Sequence, residues 1–330
     1  MKERIQRLTH YEHLSREEAK QIIYNIAEGE INQSALTVIL AVFMMRNIRM
    51  EELEGFRDGL LDLSVKVDLS GYDTIDLCGT GGDGKHTFNI STLASFVVAG
   101  AGFQVAKHGN FGVSSLSGSS DIMERIGVNF SNDEGFLKTC LEQAGICFLH
   151  APLFHPVMKH VAGIRRDLGV KTFFNTLGPL TNPSRPKNQM IGVFDFELLR
   201  MYTYIFQKEN SNFAVLHSLS GHDEISLVTE TKVVSKDYEI MVSASDLGVD
   251  SVVDEDLFGG NSNNQAVRIF MDIIQGNGTE AQNNVVCANA GMAISLMQKC
   301  SIVEGFERAK ESLNSGKAYD SLKNLLKISQ

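Results

Sequence analysis

The sequence has little of several residue types that would mark it for particular classes of protein. It contains no tryptophan and only 5 cysteines among 330 residues. The cysteines are odd in number, scattered and never spaced C-x-x-C, which argues against a disulfide framework and against a cysteine zinc site. We therefore expect free thiols in a reducing compartment.

Positive charge is also scarce. The chain has 30 lysines and arginines against 40 aspartates and glutamates, so its formal net charge is -10 and its pI is about 5.4. Without a basic excess, we expect no general surface for nucleic acid or for an anionic membrane. An anionic ligand would need locally placed cations or a metal ion.

Long apolar runs are missing too. The longest, residues 35–45, includes a threonine and is shorter than the ~20 residues that a membrane span needs. Residues 1–18 lack the apolar core of a signal peptide. We expect a soluble cytoplasmic protein, and because 330 residues exceed one usual core, we expect two domains.

The first 68 residues are predicted to form a small helical domain. Ser15 and Glu18 have the spacing of a capping box, and a second such box begins at Ser301. Apolar residues recur at helical spacing in three stretches, around residues 19–26, 36–43 and 53–63. A further helical contribution to this domain is expected from about residues 163–186.

Residues 69–330 are predicted to form a larger α/β domain with a mainly parallel central sheet. Short β-rich runs alternate there with helical stretches. Strands are predicted at residues 74–78, 103–106, 147–150, 190–193 and 213–217. Residues 231–234 and 238–242 suggest an additional hairpin-like excursion with antiparallel pairing.

A glycine-rich stretch, IDLCGTGGDGKHTFNIST at residues 75–92, follows the first predicted strand and fits two phosphate-binding motifs incompletely. The dinucleotide motif G-x-G-x-x-G is disfavoured because a plausible helix begins only at Ser91 and position 104 is Gln rather than an acid. A 2′-phosphate on Lys107 would still be compatible. The triphosphate motif fails because His86 stands where a Ser or Thr should bind magnesium.

A third interpretation accounts for more residues. Asn89, Ser91 and Thr92 offer an amide and two hydroxyls at a helix start, and Lys107 and His108 end the next strand. Serines 114, 115, 117 and 119 follow. Because ligands of open α/β sheets bind outside the carboxyl ends of strands, both loops are expected to face one phosphate site.

Five motifs in order resemble the anthranilate phosphoribosyltransferases of tryptophan biosynthesis. They are GTGGDG, TFNIST, KHGN with SS and GS downstream, RRDLG leading into FNTLGPLTNP, and GHDE. The resemblance implies a helical domain joined to an α/β domain, a homodimer, and transfer of phosphoribose from phosphoribosyl pyrophosphate to anthranilate. It also implies Mg2+, two ions per subunit.

The resemblance assigns roles to individual residues. Phosphoribosyl pyrophosphate would contact Gly79, Gly82, Asp83, Thr87, Asn89, Ile90, Ser91, Thr92, Lys107, Ser115 and Ser119. Anthranilate would contact Gly79, His108, Asn110 and Arg165, with Pro179 nearby. Magnesium would be held by Ser91, Asp223 and Glu224. No single side chain is expected to act as an indispensable general base, because an aromatic amine is already unprotonated at neutral pH.

Each assignment has a structural alternative. Hydroxyls at a helix start are often simple caps, and adjacent carboxylates such as Asp223 and Glu224 are often solvated surface. Arg165 could belong to an ordinary Arg-Asp surface pair. Three positions also depart from the family pattern: Phe111 replaces Arg, Leu116 replaces Lys and His222 replaces Leu.

Two other functions remain open. A pyrimidine nucleoside phosphorylase shares this architecture and a K-H-G element, but its loop continues with glycine-rich sequence where this chain has Asn110. A non-catalytic relative could bind nucleic acid, although the acidic balance opposes this. Arg165, Asp223 and Glu224 favour the transferase.

Overall fold

The structure is a computed structural model and describes residues 1–112, 116–209 and 211–330. It has a small N-terminal group of helices and a larger α/β part. The helical group comprises α1 (Lys2–Thr9), α2 (Arg16–Ala27), α3 (Gln33–Met45) and α4 (Met50–Asp62). The predicted capping box at α2 is confirmed, with Glu18 N donating to Ser15 Oγ at 3.2 Å and Ser15 N donating to Glu18 Oε2 at 2.9 Å.

The α/β part is built on one sheet of seven strands. They are β1 (Thr74–Gly79), β2 (Gln104–Gly109), β3 (Ile146–His150), β4 (Asn188–Gly192), β5 (Asn212–Ser218), β6 (Thr231–Ser235) and β7 (Glu239–Val242). Their spatial order is β3-β2-β1-β4-β5-β6-β7. The first five strands are parallel, and β6 and β7 add antiparallel pairs at one edge. The predicted strands and the antiparallel hairpin are therefore confirmed, with ends shifted by one to three residues.

Ten further helices are found in the described part of the chain after residue 68. They are α5 (Ile90–Gly100), α6 (Ser119–Ile126), α7 (Glu134–Ala144), α8 (Ala151–Phe154), α9 (Lys159–Leu168), α10 (Phe196–Glu209), α11 (Asn263–Ile274), α12 (Glu280–Gln298), α13 (Ile302–Asn314) and α14 (Lys317–Ser329). Short 3-10 turns lie at Pro156–Met158, Phe173–Thr176, Gly178–Leu180, Ser245–Leu247 and Asp254–Leu257. In the described ranges no single helix is long and apolar enough to cross a membrane, although the sharply bent pair α12 and α13 passes by length and composition together.

Two apolar clusters lie on opposite sides of the sheet. One contains α5, α12, α13 and α14 packed on β1, β2 and β3. The other joins the N-terminal helices to residues of the later chain, including Val161, Phe173 and Leu180. Phe173 lies between Phe43 and Phe56, with ring centroids 5.0 and 4.4 Å away. The segment after α8 thus packs into the helical group, and the cleft between this segment and the sheet holds the site described next.

Candidate active site

A cavity of about 290 Å³ lies at the carboxyl ends of β1 and β2. Its walls come from the glycine loop after β1, the loop after β2, α9 with the following turns, and the loop after β5. The predicted site residues that line it are Gly79, Gly82, Asp83, Thr87, Asn89, Ile90, Ser91, Thr92, Lys107, His108, Asn110, Ser119, Arg165, Asp223 and Glu224. Ser115, also predicted, lies outside the described residues.

The glycine loop leaves β1 beside β4, where Thr80 N donates to Gly192 O at 2.9 Å. Gly81, Gly82, Gly84 and His86 all have positive φ, between 54° and 76°, a conformation that glycine adopts most readily. The loop leads to α5, which begins at Ile90, one residue before the predicted start. Backbone amides at such a turn and helix start are suited to phosphate.

The helix start is not a conventional side-chain cap. The N-cap residue is Asn89, whose side chain makes no capping hydrogen bond and instead donates to Ser117 O at 3.2 Å. Ser91 and Thr92 lie in the first turn of α5 rather than at its cap position. Their hydroxyls are therefore not explained as simple caps.

Three carboxylates meet beside the glycine loop. Gly81 N donates to Asp223 Oδ2 at 2.7 Å, and a Cβ on Gly79 would lie 2.5 Å from the same oxygen. Burial, followed by the Asp83 charge, raises the pKa of Asp223 to about 7. Burial and the Asp223 charge likewise raise the pKa of Glu224, with Lys107 acting in the opposite direction. This is not a solvated surface pair, because Asp223 is buried.

Crowded carboxylates of this kind are suited to a divalent cation. Among the described residues, no group of three or more His, Cys, Asp or Glu side chains forms a complete metal site. Magnesium does not require one, since it keeps several waters and takes one or two carboxylates together with substrate phosphates. Asp223, Glu224 and the Ser91 hydroxyl therefore fit magnesium better than a metal with an all-protein ligand set.

Lys107 is buried near the carboxylates Asp83, Asp223 and Glu224. Its side chain is 1% exposed and Nζ donates to Leu77 O at 2.6 Å. Asp76 lies beside it, accepting from His108 N at 3.0 Å and from Asn182 Nδ2 at 2.8 Å. Burial raises the pKa of Asp76 to about 6, and the nearby Lys107 charge opposes the shift. Sequence reasoning missed Asp76 and Asn182; the available signal was a carboxylate inside an otherwise apolar strand.

Arg165, on α9, lines the same cavity as the glycine loop. It is 8% exposed, whereas Arg166 and Asp167 are exposed. One terminal nitrogen of Arg165 donates to Asn175 Oδ1 at 3.2 Å, and Nε is buried without a partner. In the part of the chain that the structure describes, no carboxylate pairs with it. Burial lowers the pKa of Arg165, which remains a cation.

Two neutral imidazoles, those of His108 and His155, line the cavity together with Arg165. His108 Nδ1 donates to Gly178 O at 2.9 Å, and its Nε2 is buried without a partner. Burial lowers the pKa of His108 to about 3. His155, which sequence reasoning missed, lies edge-on with its ring centroid 5.4 Å from that of His108. Pro179 is buried next to Gly178 but does not line the cavity.

The three departures from the family pattern occupy different surroundings. Phe111 lines the cavity and lies edge-on to His150, at 4.8 Å between ring centroids. Leu116 is exposed and is not part of the cavity wall. His222 is buried, does not line the cavity, and contacts Asp254. Of the two positions where the resemblance implies a cation, Phe111 lines the cavity and Leu116 does not.

Comparisons with known proteins identify the family of this chain. The family model described as "Glycosyl transferase family, helical bundle domain" matches residues 2–64, and "Glycosyl transferase family, a/b domain" matches residues 71–319. The anthranilate phosphoribosyltransferase of Christiangramia forsetii is 58% identical over 330 residues, covering all of both chains. That of Bacteroides fragilis is 48% identical and covers 99% of both. The chain belongs to the anthranilate phosphoribosyltransferase family.

Solved structures of anthranilate phosphoribosyltransferases have the same fold. The Thermus thermophilus structure matches with a TM-score of 0.89 at 31% identity, covering 98% of both chains. The Saccharomyces cerevisiae structure in complex with PRPP and Mg matches with a TM-score of 0.89 at 26% identity, covering 98% of this chain and 96% of that one. The predicted fold class, a small helical domain and a larger α/β domain, is confirmed.

Proposed function

We propose that this protein transfers the phosphoribosyl group of 5-phosphoribosyl 1-pyrophosphate to the amine of anthranilate. The products are N-(5-phosphoribosyl)anthranilate and pyrophosphate, in L-tryptophan biosynthesis. One observation carries the proposal: a buried arginine, which no carboxylate among the described residues pairs with, and a crowded set of carboxylates beside a glycine loop line the same cavity. The cavity thus offers one site for an organic acid and another for a metal-bound phosphate.

We assign phosphoribosyl pyrophosphate to the glycine-loop side. The assigned residues are Gly79, Gly82, Asp83, Thr87, Asn89, Ile90, Ser91, Thr92, Lys107, Ser115 and Ser119. Backbone amides of the loop and of the first turn of α5 would bind phosphate oxygens, and buried Lys107 adds a positive charge beneath them. The yeast relative in complex with PRPP and Mg supports this class of ligand.

We assign magnesium, two ions per subunit, to Ser91, Asp223 and Glu224. When bound, magnesium would neutralise negative charge on the pyrophosphate leaving group. The raised pKa of Asp223, about 7, supports the assignment, because a cation relieves the repulsion between Asp223 and Asp83. Gly81 N holds Asp223 in position through the 2.7 Å hydrogen bond.

We assign anthranilate to the side formed by Gly79, His108, Asn110 and Arg165. The unpaired guanidinium suits the carboxylate of the aromatic acid. The buried Nε2 of His108 is an acceptor, because Nδ1 donates to Gly178 O at 2.9 Å, and it suits the N–H of an aromatic amine. A yeast variant in complex with 4-fluoroanthranilate, 25% identical, supports this class of acceptor.

The residues support a mechanism based on positioning and electrostatics. An imidazole with a pKa of about 3 cannot retain a proton at neutral pH, so His108 is no strong general base. The aromatic amine is unprotonated and needs no activation before it attacks C1 of the ribose. Holding both reactants in one cavity, with charges placed for the departing pyrophosphate, supplies the acceleration.

The two alternative functions are less well supported. A nucleoside phosphorylase binds a nucleobase, which has no carboxylate to pair with the buried Arg165. A nucleic-acid-binding role conflicts with the net charge of -10. Absence of DNA binding at low salt would dispose of that role.

Anthranilate fluorescence provides the direct test, since the chain contains no tryptophan to interfere. Purified protein is mixed with anthranilate and phosphoribosyl pyrophosphate, with Mg2+ or with a chelator. We expect a loss of signal that requires both substrates and Mg2+. Unchanged fluorescence at every Mg2+ concentration would refute the transferase and restore the phosphorylase and binding-protein alternatives.

We also propose a cytoplasmic homodimer that associates through the outer side of the N-terminal helices. Helix α3 carries Val38, Met44 and Met45 with 38%, 46% and 73% of their surfaces exposed. The five cysteines are free thiols, which fits a reducing compartment. Sedimentation equilibrium should give twice the mass of the 36.3 kDa chain. The double variant Met44→Glu/Met45→Glu should shift it toward the monomer.

A further inference from the structure

The glycine loop, residues 81–88, is linked at both ends to two adjacent residues, His222 and Asp223. Its positive-φ residues give its backbone unusual conformational freedom. Asp223 contacts the beginning of the loop directly, whereas His222 is linked to its end through residues 254–259. The two links follow different routes.

The first route is direct. Gly81 N donates to Asp223 Oδ2 at 2.7 Å, at the beginning of the loop. This contact lies on the cavity side, where Asp223 and Gly81 both form part of the wall.

The second route passes through residues 254–259, called here the strap. The strap runs along the end of the loop: Phe88 N donates to Leu257 O at 2.9 Å, and Gly259 N donates to His86 O at 2.8 Å. Thr87 and Phe258 form an antiparallel bridge between these two hydrogen bonds. The strap and the end of the loop are therefore joined through backbone hydrogen bonds.

His222 connects the strap to the loop after β5, which carries Asp223 and Glu224. Its ring is 1% exposed, with Nε2 3.2 Å from Asp254 Oδ1 and Nδ1 2.8 Å from Ser220 Oγ. The His222–Asp254 approach is a close polar contact between a buried imidazole and a carboxylate. Asp254 also lies 3.5 Å from Lys85 Nζ in the glycine loop, an exposed pair that contributes little alone.

We propose that His222 is a positioning residue that, through Asp254 and the strap, sets the glycine loop at the distance from Asp223 that phosphoribosyl pyrophosphate requires. The proposal rests on the transferase function. Asp223 contacts the beginning of the glycine loop, and His222 contacts the strap that pairs with its end, so the backbone amides of the loop and the carboxylates of Asp223 and Glu224 keep a fixed separation. A leucine at position 222 would have no polar atom to contact Asp254.

Steady-state kinetics test this through His222→Leu and Asp254→Ala. Loss of this buried polar contact should raise the KM for phosphoribosyl pyrophosphate about 3- to 10-fold. The KM for anthranilate and kcat at saturating phosphoribosyl pyrophosphate should stay within about 2-fold, because the acceptor side is not connected to the strap. The double variant should match the single variants, since both changes break the same contact. His222→Gln, which retains a polar N–H group on the side chain, should recover most of the loss.

Hydrogen exchange of the substrate-free protein gives a readout independent of activity. Amides of residues 81–88 should exchange faster in His222→Leu and Asp254→Ala, while those of β1 and β2 should not change. Asp320→Asn, which removes a distant exposed pair with Lys323, is the matched control and should leave both exchange and KM unchanged.

The outcomes distinguish the positioning role of His222 from the transferase function. Unchanged exchange and an unchanged KM in His222→Leu would overturn the positioning role. An equal change in both KM values with a global rise in exchange would also overturn it, because this indicates general destabilisation. If the unaltered protein fails to consume anthranilate while the loop-specific exchange changes are seen, the transferase function is refuted and the anchoring of the loop by His222 is supported.

Discussion

Asn175 determines whether the charge of Arg165 is available to a substrate. Its Oδ1 accepts from Arg165 at 3.2 Å and from Thr172 N at 3.0 Å. A neutral amide oxygen thus orients the guanidinium without neutralising it. Asn175→Asp keeps an oxygen at the same position for both donors but adds a negative charge, so it converts an oriented cation into an ion pair.

The magnitude follows from the distance. Coulomb's law for unit charges at the 3.2 Å separation, with an effective dielectric constant of about 20, gives an attraction of about 5 kcal/mol. Desolvation of the new carboxylate offsets part of this, which leaves about 2–3 kcal/mol of competition against a substrate acid. That corresponds to a rise of about 30- to 150-fold in the KM for anthranilate.

Steady-state fluorescence with each substrate varied in turn measures the effect. Asn175→Ala is the matched control: it removes the hydrogen bonds without adding charge and should raise the same KM only about 5-fold. The KM for phosphoribosyl pyrophosphate should stay within about 2-fold in both variants. Equal effects of Asp and Ala at position 175 would refute the charge argument, and so would a larger effect on phosphoribosyl pyrophosphate than on anthranilate.

Three further changes test other parts of the molecule. Asp223→Asn should raise the Mg2+ concentration for half-maximal activity at least about 10-fold, since an amide is a weaker ligand that still accepts from Gly81; an unchanged Mg2+ titration would remove Asp223 from the metal site. Phe111→Arg should change turnover less than about 3-fold, because Lys107 already supplies a buried cation, and a rise from near zero would show that the lost arginine is essential. Glu52→Gln should destabilise the protein by about 3 kcal/mol at pH 7 in urea denaturation, because buried Glu52 pairs with Arg46 at 2.6 Å. Burial alone would raise the pKa of Glu52, but Arg46 and two backbone amides lower it overall. The stability that ionised Glu52 contributes is therefore lost as pH falls through that lowered pKa, and the difference in unfolding free energy between the two proteins should shrink in acid. A difference that stays constant with pH would contradict this.

Much of the architecture could be predicted from the sequence. Apolar periodicity and local turn chemistry are properties of a few neighbouring residues, so the strands, the capping boxes at Ser15 and Ser301, and the glycine loop could all be located. The likeness of five ordered motifs to one family then pointed to the cavity residues. The predicted start of α5 was one residue late, because Asn89 occupies the cap position without a capping hydrogen bond.

The sequence by itself determined the order of strands and helices and the chemistry available at each strand end. Only the tertiary structure decided which charges are left without partners, because burial and pairing depend on segments far apart in the chain. Arg165 and Arg166 are neighbours in sequence, yet one is buried and one exposed. His222 and Asp223 are also neighbours, yet Asp223 contacts the beginning of the glycine loop while His222 contacts Asp254, in the segment 254–259 that pairs with the end of that loop.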